Sequence, residues 1–275
     1  MKKLVTMLTF ALIAFLLLGC NAKKIDSRLD SINKKGKIIL GTSADYPPYE
    51  FHTQINGKDT IVGFDVSIAE EIARDLGVPL EIKDMDFDGL LAALASGNVD
   101  FVISGMTPTD ERRANVDFSD VYYYAEHGIL IRKIDSDMFS SEAESLKSSM
   151  IGAQRGAIQV SLAKQHIKGV PEDKAEEPHP QVKELGKLPD LIMELKNGKI
   201  DAVVLELPVA KAYLTANSDL VLANYTFADE DGGAAIAVNK GEKSLLAKLN
   251  ATIERLTSTG TIERFVTEAN EIVEY

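Results

Sequence analysis

One strand-to-helix turn combines residue types that could bind an anion. The stretch Gly97–Arg113 reads as a helix end, a short apolar strand over Asp100–Ser104, and a turn of small and polar residues that leads into a new helix. The first N–H groups of a helix are unpaired, and its dipole favours negative charge there. Arg112 in the first turn can hold a carboxylate through two parallel hydrogen bonds, and Thr107 can add a hydroxyl donor. The turn is therefore predicted to bind a carboxylate.

A helix–glycine–strand pattern that includes part of this stretch occurs twice. LLAALASGNVDFVI (Leu90–Ile103) aligns with LIMELKNGKIDAVV (Leu191–Val204) at a constant offset, so that Asp100 matches Asp201. Two copies of one unit indicate two α/β halves. The two aspartates begin their strands at the end away from the turn, so we expect them to have structural roles.

The residue that follows the strand differs between the two copies. The first copy has Gly105 there, whereas the second has Glu206. If the two strand ends face each other, they suit a zwitterion, with its carboxylate at Arg112 and its ammonium at Glu206.

Composition limits the other function classes. The chain has 275 residues, of which 45% are hydrophobic, which is enough for one or two buried cores. A formal net charge of −12 argues against a nucleic-acid partner. One cysteine, and four histidines without ligand spacing, predict no metal site and no cofactor.

The N-terminus has the pattern of a bacterial secretory leader. Two lysines precede the apolar run Leu8–Leu18, and LLGC (Leu17–Cys20) resembles a lipobox, in which the cysteine is acylated. There are two alternatives, an ordinary signal peptide with an incidental cysteine and a membrane span. The apolar run is short for a span. We expect a lipoprotein signal peptide over residues 1–19, lipidation at Cys20, and a flexible polar tether over residues 20–36.

Strands and helices alternate along the rest of the chain, which predicts parallel sheets. Asn56-Gly57 has the composition of a hairpin turn, and Asp65 is expected to cap the following helix. The polar stretch Lys133–Lys147 and the run Gly232–Val238 are the expected crossovers between the halves. The final helices have no sheet after them, so we expect them to pack on the first half.

Several motifs together resemble those of a known family. GTSADYPPYEF, GFD, MDFDGLLAALASGNVDFVISGMTPTDERR, VDFSD, IGAQRG, LKNGKIDAVV and AIAVNKG are similar to the polar amino-acid-binding family of bacterial extracellular solute-binding proteins, over about Lys37 to Phe265. The resemblance implies an α/β fold with two lobes, of the periplasmic-binding-protein-like type II, with two hinge strands and the ligand in the interlobe cleft. The expected lobes are residues 37–131 plus 239–275, and residues 132–238 with the hinge crossovers.

The resemblance also implies a set of ligand-binding residues. Arg112 and Thr107 would hold the α-carboxylate, the Gly105 carbonyl and Glu206 the α-ammonium, and Tyr46 and Phe87 the side chain. The remaining positions are Ser43 and Ser104 in the first lobe and Gln154, Ala157 and Ile158 in the second, where the loop Gly156–Gln159 would close on the ligand.

Three positions depart from the family pattern. Ser43 stands where relatives for basic amino acids or glutamine often carry an aspartate, Ala157 where threonine is common, and Glu206 where aspartate is usual. The candidates for the side-chain end of the ligand are therefore Asp45, Glu50, Glu126 and Ser43.

The expected function is capture of a polar L-amino acid by hinge closure, with arginine or lysine favoured over glutamine. The expected protein is a monomeric, lipid-anchored component of an ABC importer on the extracellular face of the bacterial membrane, with separate permease and ATPase chains as partners. Two alternatives remain open. One is a cyclohexadienyl/prephenate-type dehydratase on the same fold, with Glu206 as general acid. The other is a sensory ligand-binding domain.

Overall fold

The computed structural model of the protein describes residues 27–139, 143–227 and 232–274. The predicted leader, Cys20 and the first part of the tether lie outside these ranges. The helices are α1 (Ser27–Lys35), α2 (Phe64–Leu76), α3 (Leu90–Ala95), α4 (Asp110–Asn115), α5 (Ile158–Leu162), α6 (Leu188–Lys196), α7 (Leu207–Ala216), α8 (Lys243–Ser258) and α9 (Thr261–Glu274). The strands are β1 (Ile38–Thr42), β2 (Asp45–Tyr46), β3 (Glu50–Ile55), β4 (Lys58–Val62), β5 (Leu80–Asp84), β6 (Phe101–Val102), β7 (Val116–Tyr123), β8 (His127–Arg132), β9 (Ile151–Gln154), β10 (Val182–Leu185), β11 (Ala202–Glu206), β12 (Leu220–Phe227) and β13 (Ala234–Asn239).

Two five-stranded sheets of related order define the two lobes. The first has the order β5-β1-β6-β13-β7 and the second β10-β9-β11-β8-β12. In each, three parallel strands are followed by one that runs antiparallel to its neighbours. The repeated unit supplies the central strand of both sheets, β6 and β11. The predicted two-lobed α/β fold is therefore confirmed.

The chain crosses between the lobes earlier than predicted. Strand β8 pairs with β11 and β12 of the second sheet, and β13 pairs with β6 and β7 of the first. Sheet membership therefore assigns residues 127–132 to the second lobe and 234–239 to the first, unlike the predicted boundaries at 131 and 238. Each strand is built around an apolar run, Gly128–Ile131 in β8 and Ala234–Val238 in β13. Such runs suit either sheet, so their composition does not show which sheet they join.

A small third sheet positions the residues of the cleft. Strands β2, β3 and β4 form an antiparallel sheet, and β2 places Asp45 and Tyr46 at the edge of the first lobe. The β3–β4 hairpin turns at Asn56-Gly57 as predicted, and both of these residues have positive φ angles, 52° and 77°. Such angles are those of the type I′ turn that Asn-Gly favours.

The part of the tether that the structure describes is a helix rather than an irregular chain. Helix α1 buries Ile32 completely, and its Arg28 and Lys35 each bond to Asp100 Oδ1 at 3.0 Å. One buried isoleucine and two ion pairs thus hold residues 27–35 on the first lobe. This anchoring is the physical reason for the difference from the prediction.

The two C-terminal helices pack on the first lobe, as predicted. Helix α8 contacts β7 and α2, and its apolar face is buried at Leu245, Leu249 and Ile253. Helix α9 packs on α2 and α8 and also contacts α7 of the second lobe. Within the described ranges, none of the helices is both long enough and apolar enough to span a membrane.

The matched aspartates of the repeat have matching structural roles. Asp100 accepts a hydrogen bond from the N–H of Ile39, and Asp201 accepts one from the N–H of Met150, both at 2.8 Å. Each carboxylate thus holds the start of the neighbouring parallel strand in its own sheet, β1 in the first and β9 in the second. Their surroundings differ, because the Asp100 side chain is fully buried whereas that of Asp201 is 33% exposed.

This difference predicts unequal losses of stability. Asp100→Ala leaves the buried N–H of Ile39 without an acceptor and removes two ion pairs, so we expect the free energy of unfolding to fall by about 2–3 kcal/mol. Asp201→Ala is the matched control and should lose about 1 kcal/mol, because water can reach this partly exposed position and replace part of the lost hydrogen bonding. Urea unfolding measures both. Equal losses in the two variants would contradict this account.

Candidate functional site

Arg112 is held at the wall of the cleft by the turn that carries it. The Thr109 side chain accepts the backbone N–H of Arg112 at 3.3 Å and so caps α4. The guanidinium Nη1 donates to the Thr107 carbonyl at 2.6 Å, and its carbon lies 5.4 Å from the centre of the Phe87 ring. The guanidinium is thus fixed in position by groups of its own lobe.

The structure brings ten of the eleven predicted ligand-binding residues together around one cavity between the lobes. Asp45 and Gln159 also line it, whereas Glu206 does not. The predicted residues in the lining are Ser43, Tyr46, Phe87, Ser104, Gly105, Thr107, Arg112, Gln154, Ala157 and Ile158. The free volume is about 10 Å³, roughly what one water molecule needs. The lobes are therefore closed, and an amino acid can enter only if they separate.

Hydrogen bonds across the cleft hold the closed arrangement. Arg112 Nη2 donates to the Gly156 carbonyl at 2.8 Å, and Gln159 Nε2 lies 3.3 Å from the Tyr46 hydroxyl. Gly156 and Gln159 belong to the loop and the first turn of α5 that the sequence predicted to close on the ligand. Arg112 thus already holds a carbonyl oxygen of the opposite lobe, in the manner expected for a ligand oxygen.

Asp45 makes the largest set of contacts across the cleft. Its Oδ2 accepts the backbone N–H of Leu188, at the start of α6, at 2.8 Å. Its Oδ1 accepts Gln154 Nε2 at 3.3 Å and the Ser43 hydroxyl at 3.1 Å, and its carbonyl accepts the Tyr213 hydroxyl at 2.9 Å. Burial raises the pKa of Asp45, while the Leu188 N–H and Lys187 act in the opposite direction. Asp45 was only one of four sequence candidates, because its partners in the second lobe lie more than a hundred residues away in the chain.

Glu206 lies behind the cavity wall. It is the last residue of β11, it is 4% exposed, and its N–H is 3.5 Å from the Tyr46 hydroxyl, whose ring does line the cavity. The Tyr49 side chain is hydrogen-bonded to the Glu206 carboxylate. The two predicted ligand contacts Tyr46 and Glu206 thus belong to one buried network.

Position 105 requires a glycine, because the backbone there has a positive φ angle and lies close to the Tyr49 ring. Its φ angle is 52°, and a Cβ there would lie 3.3 Å from Tyr49 Cδ1. The Gly105 N–H donates to Asp65 Oδ2 at 2.8 Å, and the Tyr122 hydroxyl donates to the same oxygen at 2.9 Å. Asp65 therefore does not cap its helix as predicted. It accepts the Gly105 N–H and so holds the start of the turn that leads to Arg112.

Asp65 and Glu50 form a buried carboxyl pair behind this turn. The Ser104 hydroxyl donates to Glu50, while Glu50 Oε2 and Asp65 Oδ1 have no other donor within the described part of the chain. Burial raises the pKa of Asp65 to about 7. Burial, together with the negative charge of Asp65, raises the pKa of Glu50 well above its usual value. One proton shared between the two groups satisfies both oxygens at neutral pH.

The pair predicts a fall in stability as pH rises. Both pKa values are higher in the folded protein than the ordinary 3.8 and 4.5, so the folded state holds more protons than the unfolded state between about pH 4 and pH 7. Stability from this source is therefore full below pH 4 and is lost as pH rises through about 7.

Glu50→Gln should reduce this pH dependence, because a glutamine donates an N–H to Asp65 without a titrating proton. We expect the drop in unfolding free energy from pH 5 to pH 8, measured by urea unfolding, to be smaller than in the wild type by at least about 1 kcal/mol. Glu70→Gln changes an exposed residue of α2 and serves as the control. An unchanged drop in the Glu50 variant would rule out the shared proton.

A larger groove lies on the other side of Asp45. It has a volume of about 610 Å³ and runs between the small sheet, α7 and α9, with Phe51, Tyr213 and Ile272 in its lining. It lacks the arginine turn and is mostly apolar, so the smaller cavity is the better candidate for a polar ligand. In the ranges that the structure describes, no group of three or more His, Cys, Asp or Glu could hold a metal ion.

Comparison with known proteins agrees with the geometry. The sequence pattern of the bacterial extracellular solute-binding proteins, family 3, matches residues 38–268. The arginine-binding extracellular protein ArtP of Bacillus subtilis is 38% identical over 271 residues, which is 96% of each chain. The ABC transporter glutamine-binding protein GlnH of the same organism is 28% identical over 273 residues, 94% of each chain.

Solved structures show the same fold. The amino acid ABC transporter substrate-binding protein AbpA of Streptococcus pneumoniae, bound to L-arginine, has a TM-score of 0.82 and 34% identity, covering 90% of this chain and 99% of that one. Holo ArgBP of T. maritima has a TM-score of 0.70 and 37% identity, covering 83% and 93%. The alternative prediction of a dehydratase is not supported, because these relatives bind solutes and are not enzymes. With the family pattern covering most of its length, this chain belongs to the bacterial extracellular solute-binding proteins of family 3.

Proposed function

We propose that the chain captures a polar L-amino acid between its lobes, arginine or lysine in preference to glutamine, and delivers it to an ABC permease. The observation that carries the proposal is the charge arrangement of the cavity. Among its lining residues in the described ranges, Arg112 is the one cation, and the buried carboxyl groups of Asp45 and Glu206 lie in and behind the walls, respectively. The names of ArtP and AbpA support arginine, and that of GlnH keeps glutamine as a candidate.

The α-amino acid end of the ligand is assigned to the turn around Arg112. A ligand carboxylate would replace the Gly156 carbonyl on Arg112 Nη2, with Thr107 as a second donor. The ammonium would bind the Gly105 carbonyl and the Glu206 carboxylate. Glu206 lies one layer behind the lining, so this contact requires the Tyr46 ring to shift when the ligand enters.

The side-chain end is assigned to the aromatic and acidic part of the cavity. Tyr46 and Phe87 offer ring faces, on which a guanidinium or ammonium is attracted by the π electrons. A cationic side chain would also offset the buried negative charge, whereas the neutral amide of glutamine would not. Ser43, Ser104, Gln154, Ala157 and Ile158 complete the walls of this part.

Delivery of the amino acid requires that the protein be held at the membrane and that it contact an ABC permease. The leader pattern and the lipobox support export and an acyl anchor at Cys20, on the extracellular face of the cell membrane. The permease and the ATPase are proposed to be separate chains, and the binding protein a monomer. Closure around the ligand is the proposed signal to the permease, with one crossover between the lobes after β7 and the other before β13.

A thermal-shift screen of residues 21–275 against the twenty amino acids tests the substrate class. A ligand at a thousand times its dissociation constant adds about 4 kcal/mol of stability, so we expect a large rise in melting temperature with arginine or lysine. Arg112→Ala should abolish the rise. Arg112→Lys, which keeps the charge but loses the forked geometry, should retain only a small part of it. No rise with any amino acid would overturn the proposal.

The role of Asp45 in closure predicts a second result. In Asp45→Asn, the new NH₂ group would face one of two hydrogen-bond donors, the Leu188 N–H or Gln154 Nε2, and that donor would lose its acceptor. We therefore expect the affinity for the amino acid to fall about tenfold. The unliganded protein should also become more open, which small-angle scattering measures as a larger radius of gyration.

Asp86→Asn is the matched control for this experiment. Asp86 also bridges the lobes, through Lys187 at 3.4 Å, but its side chain is 51% exposed. An exposed ion pair contributes little, so affinity and radius should remain as in the wild type. Similar effects in both variants would show that Asp45 has no special role in closure.

A further inference from the structure

His127 is a buried polar residue that contacts the site without lining it. It begins β8, is 0% exposed, and pairs across the sheet with Glu206 of β11 and Phe227 of β12. Its ring stacks on that of Phe227, with the centroids 5.8 Å apart, and Phe227 stacks in turn on His166 at 5.2 Å. The stack fixes the plane and position of the imidazole.

The two ring nitrogens of His127 have different surroundings. Nδ1 lies 3.4 Å from Nε2 of Gln159, a cavity residue that also lies 3.3 Å from the Tyr46 hydroxyl. Nε2 of His127 has no hydrogen-bond partner within the described ranges. A buried ring nitrogen without a hydrogen-bond partner is uncommon, which indicates that the histidine is kept for its other nitrogen.

Counting hydrogens connects the histidine to the ligand. The amide of Gln159 has two N–H donors and one carbonyl oxygen. Gln159 Nε2 lies within hydrogen-bond distance of both the Tyr46 hydroxyl and His127 Nδ1. If Nδ1 is an acceptor, both N–H groups are used, and only the carbonyl oxygen is left for a ligand. A carbonyl oxygen selects ligand groups that carry N–H, as guanidinium and ammonium do.

The arrangement requires one tautomer of a neutral imidazole. Nδ1 accepts a hydrogen bond only if the proton is on Nε2. Burial, followed by the charge of His166, lowers the pKa of His127 to about 4, so the ring is neutral at physiological pH. In the other tautomer Nδ1–H would donate, the amide of Gln159 would have to reverse, and its NH₂ group would face the ligand.

We propose that His127 is a positioning residue that determines ligand selectivity, because its Nδ1 fixes the Gln159 amide with the carbonyl oxygen toward the ligand. The inference rests on the proposed function, since it concerns the same amino-acid site. His127 would thus influence selectivity although it does not line the cavity. Its effect on Gln159 would explain a preference for ligand side chains that only donate hydrogen bonds.

The tautomer can be measured without any ligand. In ¹⁵N NMR of the histidine side chains, with His127→Phe used to assign the signals, we expect His127 to show a bare Nδ1 and a protonated Nε2 from pH 5 to pH 8. An Nδ1–H tautomer, or titration near the ordinary value of about 6.5, would overturn the proposal.

Selectivity provides the second test. His127→Phe keeps a ring on Phe227 but removes Nδ1, so the Gln159 amide loses its fixed orientation. L-Arginine offers only donors in its side chain, whereas L-citrulline also offers a carbonyl oxygen. By calorimetry, we expect the ratio of the citrulline to the arginine dissociation constant to fall about tenfold in the variant.

A structural role alone would weaken both ligands equally and leave this ratio unchanged, which would refute the proposal. His166→Phe, at the other end of the stack, is the control and should keep the wild-type ratio. If the wild type bound no amino acid, the proposed function would fail, while the NMR experiment would still decide the orientation of Gln159.

Discussion

A single buried carboxylate, that of Asp45, holds the two lobes in register. It belongs to the first lobe, yet it accepts the N–H at the start of α6 and the amide of Gln154, both in the second. A desolvated carboxylate is unfavourable unless donors surround it, and here two of the three donors, Leu188 N–H and Gln154 Nε2, come from the opposite lobe. Closure therefore satisfies a charge that opening would return to water. The positions of β9 and α6, and with them the far wall of the cavity, depend on this contact.

One structural unit that occurs twice carries the Arg112 turn on one side of the site and Glu206 on the other. The helix–glycine–strand repeat supplies β6 and β11, and an aspartate at the outer end of each, Asp100 and Asp201, holds the neighbouring strand. At the inner ends the copies differ, with a glycine and an arginine turn in one and Glu206 in the other. The two copies thereby place opposite charges on the two sides of one cleft, with Arg112 in the lining and Glu206 behind it.

Local patterns predicted much of this, and long-range contacts explain the rest. Alternating strands and helices, the Asn-Gly hairpin and the arginine turn were all evident in residue spacing, because each depends on neighbours in the chain. The cleft contacts of Asp45, the Asp65–Glu50 pair and the place of Glu206 behind Tyr46 join residues that are distant in sequence, so no local pattern shows them. The lobe boundaries were misplaced because β8 and β13 are apolar strands that suit either sheet. Helix α1 was missed because a single buried isoleucine leaves no periodic pattern.

An amino acid held by Arg112 would become part of the bridge between the lobes. A crystal structure of residues 21–275 grown with L-arginine tests this directly. We expect closed lobes, with the ligand carboxylate on Arg112 and Thr107, its ammonium near Gly105 and Glu206, and its guanidinium between Tyr46 and Phe87. A ligand bound in the larger groove beside Phe51 and Tyr213, or one with its carboxylate away from Arg112, would contradict it.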